Sequence, residues 1–202
     1  MRGGITPRAA TMAEVLKQYD YATLCAGKWH LAPMEECSAA GPHHNWPLQK
    51  GFDRYYGFLN GETDNFYPEL TRDNQHCLPP RRPEEGYHLS EDLVDESVGW
   101  IRDLMSVRPD RPFFLYLAFG AQHAPHHAPD SYLQKWRGKF DEGWDVQCDR
   151  VFARQKEMGI VPRDTVLAPR NPGVRPWDEL SANEKKFAAR LQEAFAAMLD
   201  HT

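Results

Sequence analysis

The stretch Thr11–Leu31, TMAEVLKQYDYATLCAGKWHL, decides the fold class of this 202-residue chain. Thr11 and Glu14 have the spacing of a capping box, in which each side chain accepts a hydrogen bond from the other residue's backbone amide. This spacing predicts a short helix that ends near Asp20. The compact apolar run Tyr21–Ala26, closed by a glycine, is typical of a buried strand. A helix followed by such a strand forms one α/β unit.

The pattern recurs further along the chain. Ser90 is predicted to cap a helix that ends before Pro109, with a core-facing stripe at helical spacing formed by Val94, Val98, Ile101 and Met105. The continuous apolar run Phe113–Phe119 predicts a parallel strand covered on both faces. We therefore predict an α/β fold with a mostly parallel sheet flanked by helices.

The remaining segments are less regular. Residues 33–86 are rich in Pro and Gly and predict a long irregular insertion, whereas residues 146–159 could form a helix. Ser181 and Glu184 form another capping box. It opens a helix whose predicted apolar face consists of Phe187, Leu191, Ala194, Phe195, Met198 and Leu199.

Composition excludes several classes of function. The 24 basic and 29 acidic residues are mixed and give a net charge of −5, so neither nucleic acid nor an anionic membrane is an expected partner. No apolar run approaches the roughly 20 residues of a membrane helix, and the start lacks a signal-peptide core. As written, the chain is expected to be cytoplasmic, or periplasmic if an upstream segment is missing. Oligomeric state cannot be read from these features.

Titratable side chains follow both predicted strands, where open α/β sheets bind their ligands. Lys28 and His30 come after the first strand, and in extended backbone residues two apart point to the same side. His123 follows the second strand in a loop stiffened by prolines. One ammonium and two imidazoles would suit an oxyanion such as sulfate or phosphate. We predict Lys28, His30 and His123 as catalytic residues, with Lys28 and His123 also binding the substrate.

Other interpretations of these residues stay open. A single Lys or His after a strand is often solvated or structural, and His126 and His127 are interpreted as loop residues. A histidine-rich loop could also bind a transition metal, but neither paired carboxylates nor ordered ligand spacing accompanies it. The chain is therefore predicted to have no metal ligands.

The residues around these positions resemble a known family. Gly27–Leu31 (GKWHL) is similar to the signature of the type I, formylglycine-dependent sulfatases, and Thr11–Lys17 is similar to its usual lead-in. Pro112–Phe119 followed by His123-Ala-Pro resembles the next strand and histidine of these enzymes. Three further segments resemble bacterial arylsulfatases, so the similarity covers nearly the whole chain: residues 51–58, 60–64 and 140–145.

The resemblance implies an alkaline-phosphatase-like fold and hydrolysis of sulfate monoesters through a formylglycine made from Cys or Ser, with a bound calcium ion. In that scheme Lys28 would neutralise the sulfate oxygens. His30 would hydrogen-bond the formylglycine hydroxyls. His123 would bind sulfate and help to protonate the leaving alcohol. The implied partner is a small sulfate ester.

The chain departs from the family pattern in two respects. The nucleophile motif Cys-x-Pro-x-Arg should precede Lys28 by several dozen residues, but only 27 residues precede it. Cys77–Arg81 fits this string after the signature, and we interpret Cys77 as an inert loop thiol because the following prolines oppose a helix. Asp64-Asn65 and Asp73-Asn74 are interpreted as turn residues rather than metal ligands.

Residues 1–202 are therefore predicted to form a single partial sulfatase catalytic domain. It would retain the sulfate pocket but lack both the N-terminal segment with nucleophile and metal ligands and the C-terminal metal segment, so no cofactor is expected in this chain. Marginal folding in isolation is expected because missing strands would expose apolar surface. Catalysis by the chain alone stays open. The alternatives are a phosphodiesterase or phosphonate hydrolase of the same superfamily, or a noncatalytic oxyanion-binding protein.

Overall fold

Two units make up the computed structural model, which describes residues 3–202. The first unit runs to His127 and includes Thr202, and the second comprises Ala128–His201. The single partial catalytic domain stays a prediction. Within residues 3–202, no helix is both long and apolar enough to cross a membrane.

The first unit is built on a five-stranded sheet. Strand β1 lies between β2 and β5 and is parallel to both, whereas β3 and β4 continue from β2 as antiparallel strands, giving the order β4-β3-β2-β1-β5. This arrangement confirms the predicted α/β class. The elements are α1 (Met12–Lys17), β1 (Ala22–Lys28), β2 (Arg54–Phe58), β3 (Leu70–Arg72), β4 (Gln75–Cys77), α2 (Leu89–Val107) and β5 (Phe113–Ala118).

Strand β1 is buried along most of its length, as predicted. Its residues alternate between two apolar clusters, with Cys25 in one and Leu24 and Ala26 in the other. The first cluster contains Trp29, Trp46, Phe52, Tyr55 and Leu59, and the second contains Tyr56, Phe58, Leu70, Leu89, Leu93 and Trp100. The capping box of α1 is also confirmed, since the Thr11 amide donates to Glu14 and the Glu14 amide donates to Thr11 Oγ1.

The prediction of a wholly irregular segment over residues 33–86 is wrong. It contains β2, β3 and β4, and the side chains of β2 are largely buried. The flanking prolines and glycines obscured these short strands. Cys77 accordingly lies in β4 rather than in a loop, and burial raises the pKa of its thiol.

Helix α2 buries a different face from the predicted one. The helix is capped by His88, whose Nδ1 accepts a hydrogen bond from the Ser90 amide at 3.2 Å, and Ser90 itself lies within the helix. The predicted stripe is largely exposed at Val94, Val98 and Met105. The buried face instead consists of Leu89, Ser90, Asp92, Leu93, Ser97 and Trp100.

Buried hydrogen bonds explain why α2 turns polar residues inward. Asp92 Oδ2 accepts hydrogen bonds from the hydroxyls of Tyr56 at 2.7 Å and Tyr87 at 2.9 Å. Burial raises the pKa of Asp92, and it also raises the pKa values of both tyrosines. Because these partners satisfy the carboxyl group, its side of the helix can pack against the sheet.

Strand β5 is parallel, as predicted, but it is not covered on both faces. It lies at the edge of the sheet, and its Phe113 and Tyr116 side chains are 39% and 44% exposed. Apolar residues of α1 are exposed as well, namely Met12 and Val15, and so is Tyr19 just after the helix. Marginal folding of the isolated chain stays a prediction.

The second unit contains three α-helices: α3 (Asp130–Trp136), α4 (Trp144–Glu157) and α5 (Ala182–His201). The predicted capping box opens α5, since the Ser181 amide donates to Glu184 at 2.8 Å and the Glu184 amide donates to Ser181 Oγ at 3.3 Å. The predicted apolar face is only partly right. Met198 is buried, but Phe187, Leu191 and Leu199 are exposed. The buried face of α5 consists instead of Ala189, Glu193, Ala197 and Met198.

Close backbone approach explains the glycine at the end of β1. A Cβ atom at Gly27 would lie 1.9 Å from the Ala118 carbonyl oxygen of β5, and its φ of +113° is unfavourable for residues with a side chain. A Cβ atom at Gly57 of β2 would likewise lie 2.0 Å from the Gly27 carbonyl oxygen. Glycine therefore allows the three parallel strands to approach one another here.

We expect Gly27→Ala to destabilise the chain by about 2 kcal/mol or more, because both overlap and backbone conformation oppose the methyl group. Urea titration followed by far-UV circular dichroism would measure the loss. Gly99→Ala is the matched control, since its methyl group would enter open space on α2 and improve helix propensity. Equal stability of Gly27→Ala and the parent chain would contradict the close approach.

Candidate active site

A cavity of 460 Å³ lies where the parallel strands end. His30 follows β1, the segment 60–62 follows β2, and His123 follows β5. Parallel strands bring their carboxyl ends to the same edge of a sheet, so residues distant in sequence meet there. The lining consists of His30, Ala32, Met34, Asn60, Gly61, Glu62 and His123.

The backbone directs His30 into this cavity. Its amide donates to the Leu59 carbonyl at 3.0 Å, and its φ is +53°. The imidazole lies against Gly61, where a Cβ atom would come within 2.6 Å of His30 Nε2. Because His30 is in the left-handed region, the strand alternation used to align it with Lys28 does not extend this far.

Lys28 is the last residue of β1, and it is not among the residues that line the cavity. Its charge nevertheless acts on His30. Burial, followed by the positive charges of Lys28 and His123, lowers the pKa of His30 below its ordinary value of 6.5. The three predicted site residues are thus electrostatic neighbours, although only His30 and His123 line the cavity. Their catalytic roles stay predictions.

Two oxygen atoms lie close to Nδ1 of His123. The Ala124 carbonyl oxygen lies 2.7 Å away and Glu62 Oε2 lies 3.4 Å away. A carbonyl oxygen can only accept, so this geometry assigns the hydrogen to Nδ1. In the neutral ring, Nε2 is therefore the nitrogen that can accept a hydrogen bond or a proton.

Sequence reasoning missed Glu62 and Gly61 as site residues. Both belong to the Asn60–Asp64 segment, which resembles the family but lies within the predicted irregular insertion. The missed signal was strand β2 directly before it, because a polar segment after a parallel strand belongs at the ligand-binding edge.

His127 has a structural setting, in agreement with its interpretation as a loop residue. Its Nδ1 lies 3.4 Å from both the Asn65 amide nitrogen and Asp64 Oδ1, and its ring stacks on Phe66. Neither His126 nor His127 lines the cavity. Asp64 Oδ1 also accepts hydrogen bonds from the amides of Phe66 and Tyr67, which confirms its predicted turn role.

The residues described do not fit the calcium ion implied by the family resemblance. Over residues 3–202, no group of at least three His, Cys, Asp or Glu side chains is placed to hold a metal. Asp64 accepts hydrogen bonds from backbone amides. Asp73, in the turn between β3 and β4, accepts hydrogen bonds through Oδ1 from the Tyr55 amide and from Arg54 Nε. We therefore derive no step through a metal ion.

Cys77 does not fit the nucleophile position either. It ends strand β4 and is followed by irregular backbone rather than by a helix amino terminus. Burial raises the pKa of its thiol, which disfavours the thiolate. No formylglycine chemistry is therefore assigned to Cys77.

Comparison with known proteins decides the family. The family model described as Sulfatase matches residues 3–190. The chain belongs to the sulfatase family. An uncharacterized sulfatase of Schizosaccharomyces pombe is 31% identical over 98% of the chain, and the arylsulfatase of Klebsiella aerogenes is 29% identical over 96%. The chain spans 36% and 41% of these relatives' lengths.

A solved structure supports the fold assignment. The yidJ protein of Bacteroides fragilis aligns with 97% of this sulfatase chain and with 38% of its own chain, with a TM-score of 0.60 and 14% identity. At this identity the match concerns the fold alone. Together with the family match, it confirms the predicted alkaline-phosphatase-like α/β fold.

We expect His30 to titrate below 6.5 and Lys28→Gln to raise its pKa, because a neighbouring positive charge opposes protonation. Because the pKa of His30 is lower in the folded chain than in the unfolded chain, its neutral ring contributes to stability at pH values above the unfolded pKa. This contribution to stability is lost as pH falls through the folded pKa. Histidine NMR titration would measure both pKa values. Lys50→Gln is a control with the same change in net charge, and an equal shift in both variants would contradict a specific effect of Lys28.

Proposed function

We propose that this sulfatase chain binds the sulfate group of a small sulfuric ester in the cavity and provides the oxyanion-binding part of an arylsulfatase-type hydrolase. One observation carries the proposal: His30 and His123, from the ends of two adjacent parallel strands, line the same cavity beside the charge of Lys28. Such a group offers both positive charge and hydrogen-bond donors to a tetrahedral oxyanion.

Each cationic or imidazole group would have a distinct role. Lys28 would attract the anion through its ammonium charge. His30, kept neutral near pH 7 by its lowered pKa, would donate one ring N–H to a sulfate oxygen. His123 would use the Nε2 side of its ring, since Nδ1 faces Ala124 and Glu62. When protonated, Nε2 could deliver a proton to the oxygen of the leaving alcohol.

The proposal concerns binding before hydrolysis. Hydrolysis by the sulfatase route would use the aldehyde hydrate of formylglycine as nucleophile and calcium as charge stabiliser, and the residues in 3–202 fit neither requirement. The noncatalytic oxyanion-binding alternative therefore stays beside the hydrolase proposal. Release of phenol from phenyl sulfate by the purified chain would favour hydrolysis, whereas binding without release would favour the alternative.

We expect the purified chain to bind phenyl sulfate, and Lys28→Ala, His30→Ala and His123→Ala each to weaken binding by about tenfold. The lysine variant removes a positive charge near the anion, and each histidine variant removes a hydrogen bond to it. Isothermal titration calorimetry would measure the affinities. His44→Ala is the matched control because His44 is exposed and does not line the cavity. The phosphodiesterase or phosphonate hydrolase alternative predicts tighter binding of methyl phenyl phosphate, a diester, or of phenyl methylphosphonate than of phenyl sulfate. Failure to bind any of these esters would refute the proposal.

We expect Gly61→Ala to weaken phenyl sulfate binding because the new methyl group would displace the His30 ring. Gly120→Ala is a neighbouring control, since the nearest atom to its methyl position lies at an ordinary contact distance of 3.5 Å. Calorimetry would compare affinity, while circular dichroism would verify that both variants are folded. Parent-like binding by a folded Gly61→Ala chain would contradict a role for the observed His30 position.

A further inference from the structure

An acidic side chain lines the cavity that otherwise suits an anion. Glu62 is well exposed, and its Oε2 atom lies 3.4 Å from His123 Nδ1. Within residues 3–202, no lysine or arginine forms a salt bridge with it. Its negative charge is therefore available to a ligand in the cavity.

The rest of the lining supplies an apolar surface for the organic part of an ester. The exposed side chain of Met34 lines the cavity together with Glu62. A flexible thioether packs readily against varied apolar groups, including aromatic rings. Anion binding, apolar contact and a separate negative charge are thus combined in a single cavity.

Resting on the proposed function, we infer that Glu62 is a specificity determinant for the organic group of the sulfate ester. Its carboxylate favours an aryl sulfate whose substituent is an ammonium group or another hydrogen-bond donor. It disfavours an aryl sulfate that carries a second anionic group. The sulfate itself binds near Lys28, His30 and His123. Specificity arises from attraction to one substituent and repulsion of another.

The expected preference is modest because Glu62 is open to solvent. A single exposed ion pair corresponds to about two- to fivefold in affinity. The preference should decrease as salt is added, since ions screen interactions between exposed charges. A purely apolar preference would not show this salt dependence.

Three aryl sulfates test the inference with the full chain: 4-(2-aminoethyl)phenyl sulfate, 4-ethylphenyl sulfate and 4-(2-carboxyethyl)phenyl sulfate. Calorimetry at low and high salt would measure their affinities. We expect the aminoethyl ester to bind about two- to fivefold more tightly than the ethyl ester, and the carboxyethyl ester to bind more weakly by a similar factor. Glu62→Gln should reduce both differences, which are ratios to the affinity of the same variant for the neutral ester.

Glu84→Gln is the matched control because it makes the same substitution outside the cavity, at a residue that contacts Tyr67. It should preserve the parent preference. Binding of all three esters with unchanged ratios in Glu62→Gln would overturn the inference while leaving the proposed function intact. An equal reduction in Glu84→Gln would also overturn it. Failure of all three esters to bind the parent chain would instead refute the proposed function.

Discussion

The close approach of three parallel backbones at the ends of β2, β1 and β5 is the constraint on which the candidate site depends. Gly57 faces the Gly27 carbonyl, and Gly27 in turn faces the Ala118 carbonyl at distances that exclude a side chain. The following segments consequently start from a common edge. His30, Gly61 and His123 reach one cavity although they are distant in sequence. Backbone packing thus determines which polar groups become neighbours.

Local signals in the sequence were sufficient for part of this fold. The apolar runs identified β1 and β5, and reciprocal side-chain and backbone hydrogen bonds identified the starts of α1 and α5. The orientation of α2 could not be obtained in this way. Hydropathy treats Asp92 as a surface residue, but buried hydroxyls of Tyr56 and Tyr87 satisfy its carboxyl group. Hydrogen bonds to residues distant in sequence therefore bury a face of α2 that hydropathy alone predicts to be exposed.

The site shows the same division between local and long-range information. The sequence identified His30 and His123 because each follows a strongly apolar strand. It did not reveal Glu62, because β2 is short and embedded among residues that favour turns. The positive φ of His30 was also hidden, and it depends on contacts with Leu59 and Gly61 that lie about thirty residues away. Tertiary packing therefore changed both the membership and the geometry of the predicted site.

The cavity places its two imidazoles in different electrostatic settings. His30 lies near positive charges and is partly withdrawn from water, which disfavours a further proton. His123 is more exposed and has a carboxylate and a carbonyl beside Nδ1. The surroundings of His30 thus favour its neutral ring, whereas His123 has two oxygen atoms beside Nδ1 and its Nε2 on the other side of the ring. Under the proposed function, this asymmetry would assign one ring to holding the oxyanion and the other to assisting the leaving alcohol, two roles that identical imidazole environments would separate less effectively.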